Sequence, residues 1–397
     1  MLPAEVILLG SIAFILYTYA GYPLLLWVLS RFRRRGVRKE TISPSVSLII
    51  AVHNEEARIR EKLENTLSLI YPKYSLQLIV ASDCSTDRTD DIAREYRDRG
   101  VQLARLPERG GKEAAQKLAL ESATGEIVAF SDAAVILPPD AIQRIVMGFA
   151  DPSVGCVSSV DRLLTDVGVP GGEGAYVRYE MLLRELETNV GSLVGLSGSF
   201  FAARRDVCSP WRTDLQSDFT TLFNTVRRKM RGISDSESVA YYRAIVDPRR
   251  EYDRKVRTVL RGITVLADHV AVLNPLRYGL FSWQLLSHKL FRWLVPYALI
   301  AALVTNVLLA TASPGYRALL VLQGAFYLFA VAGITHRPPF LSAPFRLPAF
   351  TVQVNGSILH AWFHFLRGRR VVGWSPSSRA STAVSPLLPG RRDESSR

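Results

Sequence analysis

Cysteine is scarce in this chain: three residues in 397, Cys84, Cys156 and Cys208, an odd number with no CxxC spacing. That excludes a small disulfide-stapled scaffold and leaves the three as reduced thiols of a domain facing the cytosol. No short repeat runs through the sequence and 48% of its residues are hydrophobic, which excludes collagen, a coiled coil and a disordered chain. Acidic charge is in deficit, with 36 Asp and Glu against 49 Lys and Arg and a formal net charge of +13. No nucleic-acid-reading motif accompanies that excess, so nucleic acid is not an expected partner. The basic residues cluster beside apolar stretches, where membrane topology, anionic headgroups and substrate phosphates account for them. A mean hydropathy of +0.12 alongside 21% charged residues points to apolar spans segregated from a charged domain.

Charge is absent altogether from Val6 to Ser30, a stretch longer than the roughly 20 residues that cross a hydrocarbon core. Arg31-Phe32-Arg33-Arg34-Arg35, Arg38 and Lys39 follow it. A signal peptide would place its charges first and end at a small-residue cleavage site, so this segment reads as an anchor whose C-terminal end faces the cytosol. Trp293 to Tyr316 and Ala318 to Thr335 are two further uncharged stretches, with Ser313-Pro314-Gly315 as the expected turn. Leu347 to Leu366 carries Gln353, Asn355, His360 and His364, and Arg367, Arg369 and Arg370 follow. A fourth full crossing would put those arginines outside, so an interfacial or re-entrant segment is expected there. Gly262 to Arg292, with Phe281, Trp283, Leu285 and Leu286 among His288, Lys289 and Arg292, reads as amphipathic helices lying on the bilayer. The expected organisation is an anchor over 1–30, a cytosolic domain over 31–262 and interface helices over 263–292. Two transmembrane helices follow over 293–335, an interfacial, re-entrant or fourth membrane segment over 336–374, and a disordered tail over 375–397.

The first part of the cytosolic region alternates strand and helix signals. Val46 to Val52 is a β-branched run without charge, as a strand buried on both faces requires. From Glu55 to Leu69 the residues Ile59, Leu63, Thr66 and Leu67 share one helix face. Leu76 to Ala81 is a second strand, after which Ser85-Thr86-Asp87 offers N-cap chemistry for a helix through Tyr96. Val101 to Ala104, Lys112 to Ser122 and Glu126 to Phe130 continue as strand, helix, strand. Such alternation predicts an α/β fold with a mostly parallel sheet covered on both faces. Ligands of such sheets bind beyond the carboxyl ends of the strands.

Two phosphate-binding loops are missing. The first strand-to-helix turn has no GxGxxG, and Gly110-Gly111-Lys112 is followed by Glu113 where a Walker A loop needs Ser or Thr. Polar residues do stand at the strand ends: His53-Asn54-Glu55 after the first, Asp83 after the second, Asp132 after the fourth. Asp83 could accept from a uracil imide or a ribose hydroxyl, and Asp132 could bind a divalent cation on a diphosphate, since hard cations take oxygen ligands. Each acid also fits a structural part, an Asx-turn at its strand end.

Seven segments in order, SLIIAVHNEEARI, ASDCSTDRT, RGGKEAAQKLALESATGEIVAFSDA, SGSFFAARR, QSDF, DRKVRTVLRG and SHKLFRWLVP, give a chain that resembles the membrane-bound family-2 glycosyltransferases over about residues 1–375. The resemblance implies a GT-A-type, Rossmann-like cytosolic domain with one N-terminal and two to three C-terminal transmembrane helices. It implies inverting transfer from a nucleotide-sugar donor, and a divalent cation, Mg2+ or Mn2+. Carried over residue by residue, Ala51, His53, Asn54, Glu55 and Asp83 match nucleoside-holding positions and Lys112 a basic position beside the donor phosphates. Asp132 matches the first acid of the metal-binding DxD motif. Asp218 matches the general base, Gly198 and Ser199 a loop beside the acceptor, and Arg254 and Arg257 the region of the QxxRW motif near acceptor and diphosphate.

Two departures matter. Asp132-Ala133-Ala134 lacks the second acid of DxD, and Arg254 and Thr258 stand where QxxRW has its Gln and Trp. The first removes a metal ligand, and the second speaks against a processive synthase, one of two alternatives. The other alternative is a catalytically dead membrane scaffold. The leading expectation is a single-transfer enzyme of the inner (plasma) membrane, its catalytic domain cytosolic. It would take a nucleotide sugar, UDP-linked by expectation, and deliver the sugar to a lipid-linked or polysaccharide acceptor in envelope polysaccharide or glycolipid synthesis.

Overall fold

Helices Leu2–Leu16 (α1) and Tyr22–Phe32 (α2) run into one another through a π-helical turn, Tyr17–Gly21. The resulting helix, Pro3–Phe32, is long and apolar enough to cross a membrane. The computed structural model describes residues 2–163, 171–242, 248–335 and 343–371.

The sheet begins at Val46–Val52 (β1), every residue of which is buried. Its side chains alternate between two cores. Leu48, Ile50 and Val52 join Ile59 and Leu63 of the next helix, while Ile49 joins Ile79, Phe130 and Phe201 on the other face, as the two-residue period of a strand dictates. Helix Glu56–Leu67 (α3) buries Ile59, Lys62, Leu63 and Thr66. Then follow Leu76–Ser82 (β2), Thr89–Glu95 (α4), Val101–Arg105 (β3), Lys112–Glu121 (α5) and Ile127–Asp132 (β4). These four strands are parallel, in order β3-β2-β1-β4.

Beyond β4 the sheet becomes mixed. Val135–Ile136 (β5), Ala141–Met147 (α6), Val154–Leu163 (β6), Gly171–Val190 (α7), Phe200–Arg204 (β7), Ser217–Arg227 (α8) and Arg231–Tyr242 (β8) complete it. β7 lies antiparallel between β4 and β6, β8 is parallel to β6, and β5 caps β8 antiparallel. The eight-stranded order is β3-β2-β1-β4-β7-β6-β8-β5. Helix Pro248–Asp268 (α9) follows the sheet.

The sequence predicts amphipathic interface helices over 263–292, and the structure divides that stretch among several elements. Residues 263–268 finish α9, Pro275–Tyr278 (α10) is a single turn, and from Leu280 one helix runs unbroken to Leu309. It comprises Leu280–Leu285 (α11), a π-turn Leu286–Leu290, and Phe291–Leu309 (α12). His288 and Arg292 are buried, at 1% and 8% exposure, because Glu180 and Glu187 of α7 meet them. His288 bonds Glu187 at 2.5 Å and Glu180 at 2.7 Å, and Arg292 Nη1 donates to Glu180 at 2.6 Å. The expected turn at Ser313-Pro314-Gly315 also shifts: Pro314–Thr335 (α13) starts at the proline, whose fixed φ and missing N–H suit a first helical position. The segment expected to be interfacial or re-entrant is one continuous helix, Ala343–Leu366 (α14), whose Ile358 and Ala361 share a core with Val256 and Leu260 of α9. Among the described residues three helices, Pro3–Phe32, Leu280–Leu309 and Pro314–Thr335, are long and apolar enough to span a membrane. The tail from 375, expected to be disordered, lies outside the described residues.

Candidate active site

The loops after β1 and β2 are stapled together. Asn54 sits at φ 52°, a left-handed conformation that Asn tolerates better than most side chains. Its Oδ1 accepts from Thr86 N at 2.8 Å and its N donates to Ser85 Oγ at 3.2 Å. His53 Nδ1 meets the Asp83 carbonyl at 2.8 Å, and Glu55 N donates to Thr89 Oγ1 at 2.7 Å while its carboxylate pairs with Arg58. Ala51 is buried in β1, in register with Ala81 and Asp132 of the flanking strands. The sequence assigns His53, Asn54 and Glu55 to a nucleoside. In the structure these residues bond to the loop after β2 and its helix.

Asp83 is fully buried. Its Oδ1 accepts from Gly110 N at 2.8 Å and Gly111 N at 2.9 Å. Gly111 stands at φ 90°, which a side chain would oppose. Oδ2 carries no hydrogen bond and faces Arg109 Nε at 3.8 Å. One oxygen thus fixes the loop that launches α5, and the other faces the Arg109 guanidinium.

That loop delivers Lys112. Its Nζ donates to Asp132 Oδ1 at 2.5 Å and to the Gly198 carbonyl at 3.2 Å. Asp132 N in turn donates to Ser199 O at 3.0 Å. A Cβ on Gly198 would lie 3.0 Å from Asp218 Oδ2, so glycine is what lets this loop approach the carboxylate. Asp218 opens α8, its Oδ1 accepting from Phe219 N at 2.8 Å and its Oδ2 from Gln216 Nε2 at 3.0 Å. Burial pushes the Asp218 carboxyl above its ordinary range, while Lys112 and then Arg261 pull it down. Lys112, Asp132, Gly198, Ser199 and Asp218, five residues named from sequence, therefore meet at the carboxyl end of β4.

The α9 arginines divide differently. Arg254 pairs with Glu251 at 2.6 Å, and burial lowers Arg257, with Arg261 and Arg254 adding to the effect. Arg261, one turn further, is the arginine whose charge reaches Asp218, and it pairs with buried Glu113 beside Lys112. Its i+4 spacing from Arg257 was the available signal. Lys62 was also missed: it is fully buried, its ammonium donating to Ser131 Oγ and to Val135 O at 2.8 Å each. Burial takes it down to about 7, against a raising effect of Asp132. Its place between Ile59 and Thr66 on the apolar face of α3 was legible in the sequence.

As a cation site the turn is thin. Among the described residues no three His, Cys, Asp or Glu gather as metal ligands, and Ala134 offers no donor. Hard cations of this size bind through one or two carboxylates completed by substrate phosphates, so Asp132 fits a cation that arrives with a diphosphate.

Residues 47–209, from β1 through β7, match the model of Glycosyl transferase family 2. This segment is a family-2 glycosyltransferase domain. Asp218 and the α9 arginines lie beyond the matched stretch. The glycosyltransferase domain has relatives of similar sequence. The probable glycosyltransferase YdaM of Bacillus subtilis is 32% identical over 127 residues, 30% of this chain and 30% of that protein. The beta-monoglucosyldiacylglycerol synthase of Synechocystis is 31% identical over 186 residues, 44% of this chain and 38% of that one. The chain thus spans well under half the length of these curated relatives. The mannosyltransferase PcManGT from Pyrobaculum calidifontis, solved in complex with GDP-Man and Mn2+, superposes with a TM-score of 0.73 at 25% identity, covering 92% of this chain and 100% of that one. That likeness extends past the glycosyltransferase domain to α8, α9 and the helices beyond.

Proposed function

We propose that the chain transfers one sugar, with inversion, from a nucleotide-diphosphate donor to a hydroxyl of a lipid-linked or polysaccharide acceptor at the cytosolic face of the plasma membrane. The observation that carries this reading is the meeting of Asp218 with Gly198, Lys112 and Asp132 at the carboxyl end of the sheet. Inverting transfer needs one carboxylate within about 3 Å of the attacking hydroxyl and positive charge around the departing diphosphate. Asp218 supplies the first: a buried carboxylate with a raised pKa is a stronger base than an exposed one. Its oxygen takes the hydroxyl proton as the new bond forms at the anomeric carbon. The bond to the diphosphate oxygen breaks on the opposite face, and the electron pair leaves with the nucleoside diphosphate. Lys112 and Arg261, both close enough to act on Asp218, meet that growing charge, and Arg257 adds to it from the same helix. Asp83 Oδ2 receives the nucleoside.

Where a divalent cation binds, Asp132 holds it, and it neutralises charge on the departing diphosphate. A lipid-linked acceptor agrees with the three apolar helices and with the lipid product named in the Synechocystis relative.

The test uses the full chain in lipid nanodiscs, with UDP- and GDP-sugars as donors, native lipid extract as acceptor source, and Asp218→Asn as control. Turnover of one donor that falls at least ~100-fold in the variant, with nucleotide affinity retained, is expected. Binding without turnover for every donor, even with the extract, would overturn the reading in favour of a scaffold.

A further inference from the structure

Lys62 takes no part in the chemistry above, yet it lies against the turn that carries Asp132. It is 0% exposed, and its two hydrogen-bond partners, Ser131 Oγ and the Val135 carbonyl, bracket the stretch Asp132-Ala133-Ala134. Both partners are neutral. Burying an ammonium among neutral groups is costly, and a methionine would fill a similar volume without that cost. Packing therefore does not account for a lysine here. The carboxylate that acts on it through space is Asp132, which also holds the Lys112 ammonium at 2.5 Å. With alanine at 134, the turn has one carboxylate and two ammonium groups.

We propose that Lys62 is a positioning residue that sets this turn to receive an anion ahead of a cation. With Lys62 in place, the turn takes a nucleoside diphosphate in the absence of metal and holds a free divalent cation poorly. The inference rests on the reading of this turn as a donor diphosphate site. Its structural part is the tie between Ser131 and Val135, which fixes where the Asp132 carboxylate points. Its electrostatic part is the positive charge of the ammonium form, which the neighbouring Asp132 carboxylate favours, attracting phosphate and opposing Mn2+.

A charge of that kind predicts two effects of opposite sign, which loss of packing alone would not give. Full-length protein in nanodiscs is titrated with UDP and with GDP in chelator by calorimetry, and separately with Mn2+ alone by its paramagnetic resonance signal. Wild type is expected to bind one of the nucleotides in chelator. Lys62→Met is expected to bind that nucleotide at least about tenfold more weakly and Mn2+ alone at least about tenfold more tightly, because loss of a positive charge weakens attraction of phosphate and relieves repulsion of the cation. Lys62→Gln, which keeps an N–H donor near the two oxygens, should shift both affinities the same way and serves if the methionine variant does not fold. Nucleotide binding to wild type only when Mn2+ is present, or shifts in the variants that share a sign or are absent, would overturn the inference and leave the proposed function standing. Failure of wild type to bind either nucleotide with or without Mn2+ would overturn both.

Discussion

Asp218 is held in a compromise between burial, which favours its protonated form, and the charges of Lys112 and Arg261, which favour the carboxylate. As the proposed base it must be ionised, so kcat/KM is expected to fall as pH falls through a pKa above the usual carboxylate value of about 4. Arg261→Met removes one of the two lowering charges and should move that acid limb to higher pH, which a pH–rate profile reads directly. The same shift has a stability consequence. A folded pKa raised above the unfolded one adds stability below the unfolded pKa, and that stability is lost as pH rises through the folded value. At neutral pH the ionised Asp218 is therefore a burden, and Asp218→Asn should melt higher than wild type while losing turnover, a trade of stability for activity. Gly198 lies against the same carboxylate. With a Cβ 3.0 Å from Oδ2, Gly198→Ala must displace Asp218 by a few tenths of an ångström. Displacements of that order at a reacting group are expected to cost about tenfold or more in kcat, with a melting temperature close to wild type.

At the scale of elements, the joint between α5 and α9 decides whether the arginines face the site. Glu113 is 2% exposed and pairs with Arg261, and its carbonyl accepts from Trp211 Nε1 at 2.9 Å. Breaking one side of a buried pair leaves the other charge stranded, at about 3 kcal/mol. Glu113→Gln is expected to lower the melting temperature by that equivalent, and Glu113→Gln with Arg261→Met should recover part of it. This joint also marks the limit of what the sequence reveals. β1, β2 and β4 were legible because a strand buried on both faces must be continuously apolar. β8 was not, because Ser234, Asp235, Ser236 and Glu237 interrupt its apolar run, and only pairing with β6 makes a strand of it. Asp218 and Lys112 were legible through local motifs. For Arg261 and Lys62 the helical spacing was legible but the partners were not, since these are Glu113, 148 residues away, and Ser131, 69 residues away. The helix starting at Leu280 was misread for the same reason: His288 and Arg292 look like surface charges until Glu180 and Glu187 are brought against them.

On the scale of the whole molecule, the glycosyltransferase domain is joined to its apolar helices by polar contacts in a buried setting. Tyr22 of α2 donates to Glu187 at 2.6 Å, the carboxylate that His288 also meets. From α11, Gln284 Oε1 lies 3.5 Å from Ser192 N, at the start of the loop that ends in Gly198 and Ser199. The position of that loop is thus tied to which side of the long helix faces α7. The π-turn at Leu286–Leu290 abuts its counterpart at Tyr17–Gly21, Tyr17 OH lying 2.8 Å from Ser287 Oγ. A π-turn holds one residue more than the α-helical turn it replaces, and each residue of an α-helix advances the side-chain direction by about 100°. The turn is therefore a phase correction. Upstream of it the helix presents polar groups to protein, and downstream it presents aliphatic groups outward, and the two patterns agree only with the surplus residue present. Deleting Ser287 should leave helix content by circular dichroism nearly unchanged, yet swing Gln284 and its neighbours away from the loop that carries Gly198 and Ser199 and abolish the proposed transfer. Length changes at this point in related sequences would then be rarer than substitutions, since the helix tolerates a new side chain more readily than a lost step.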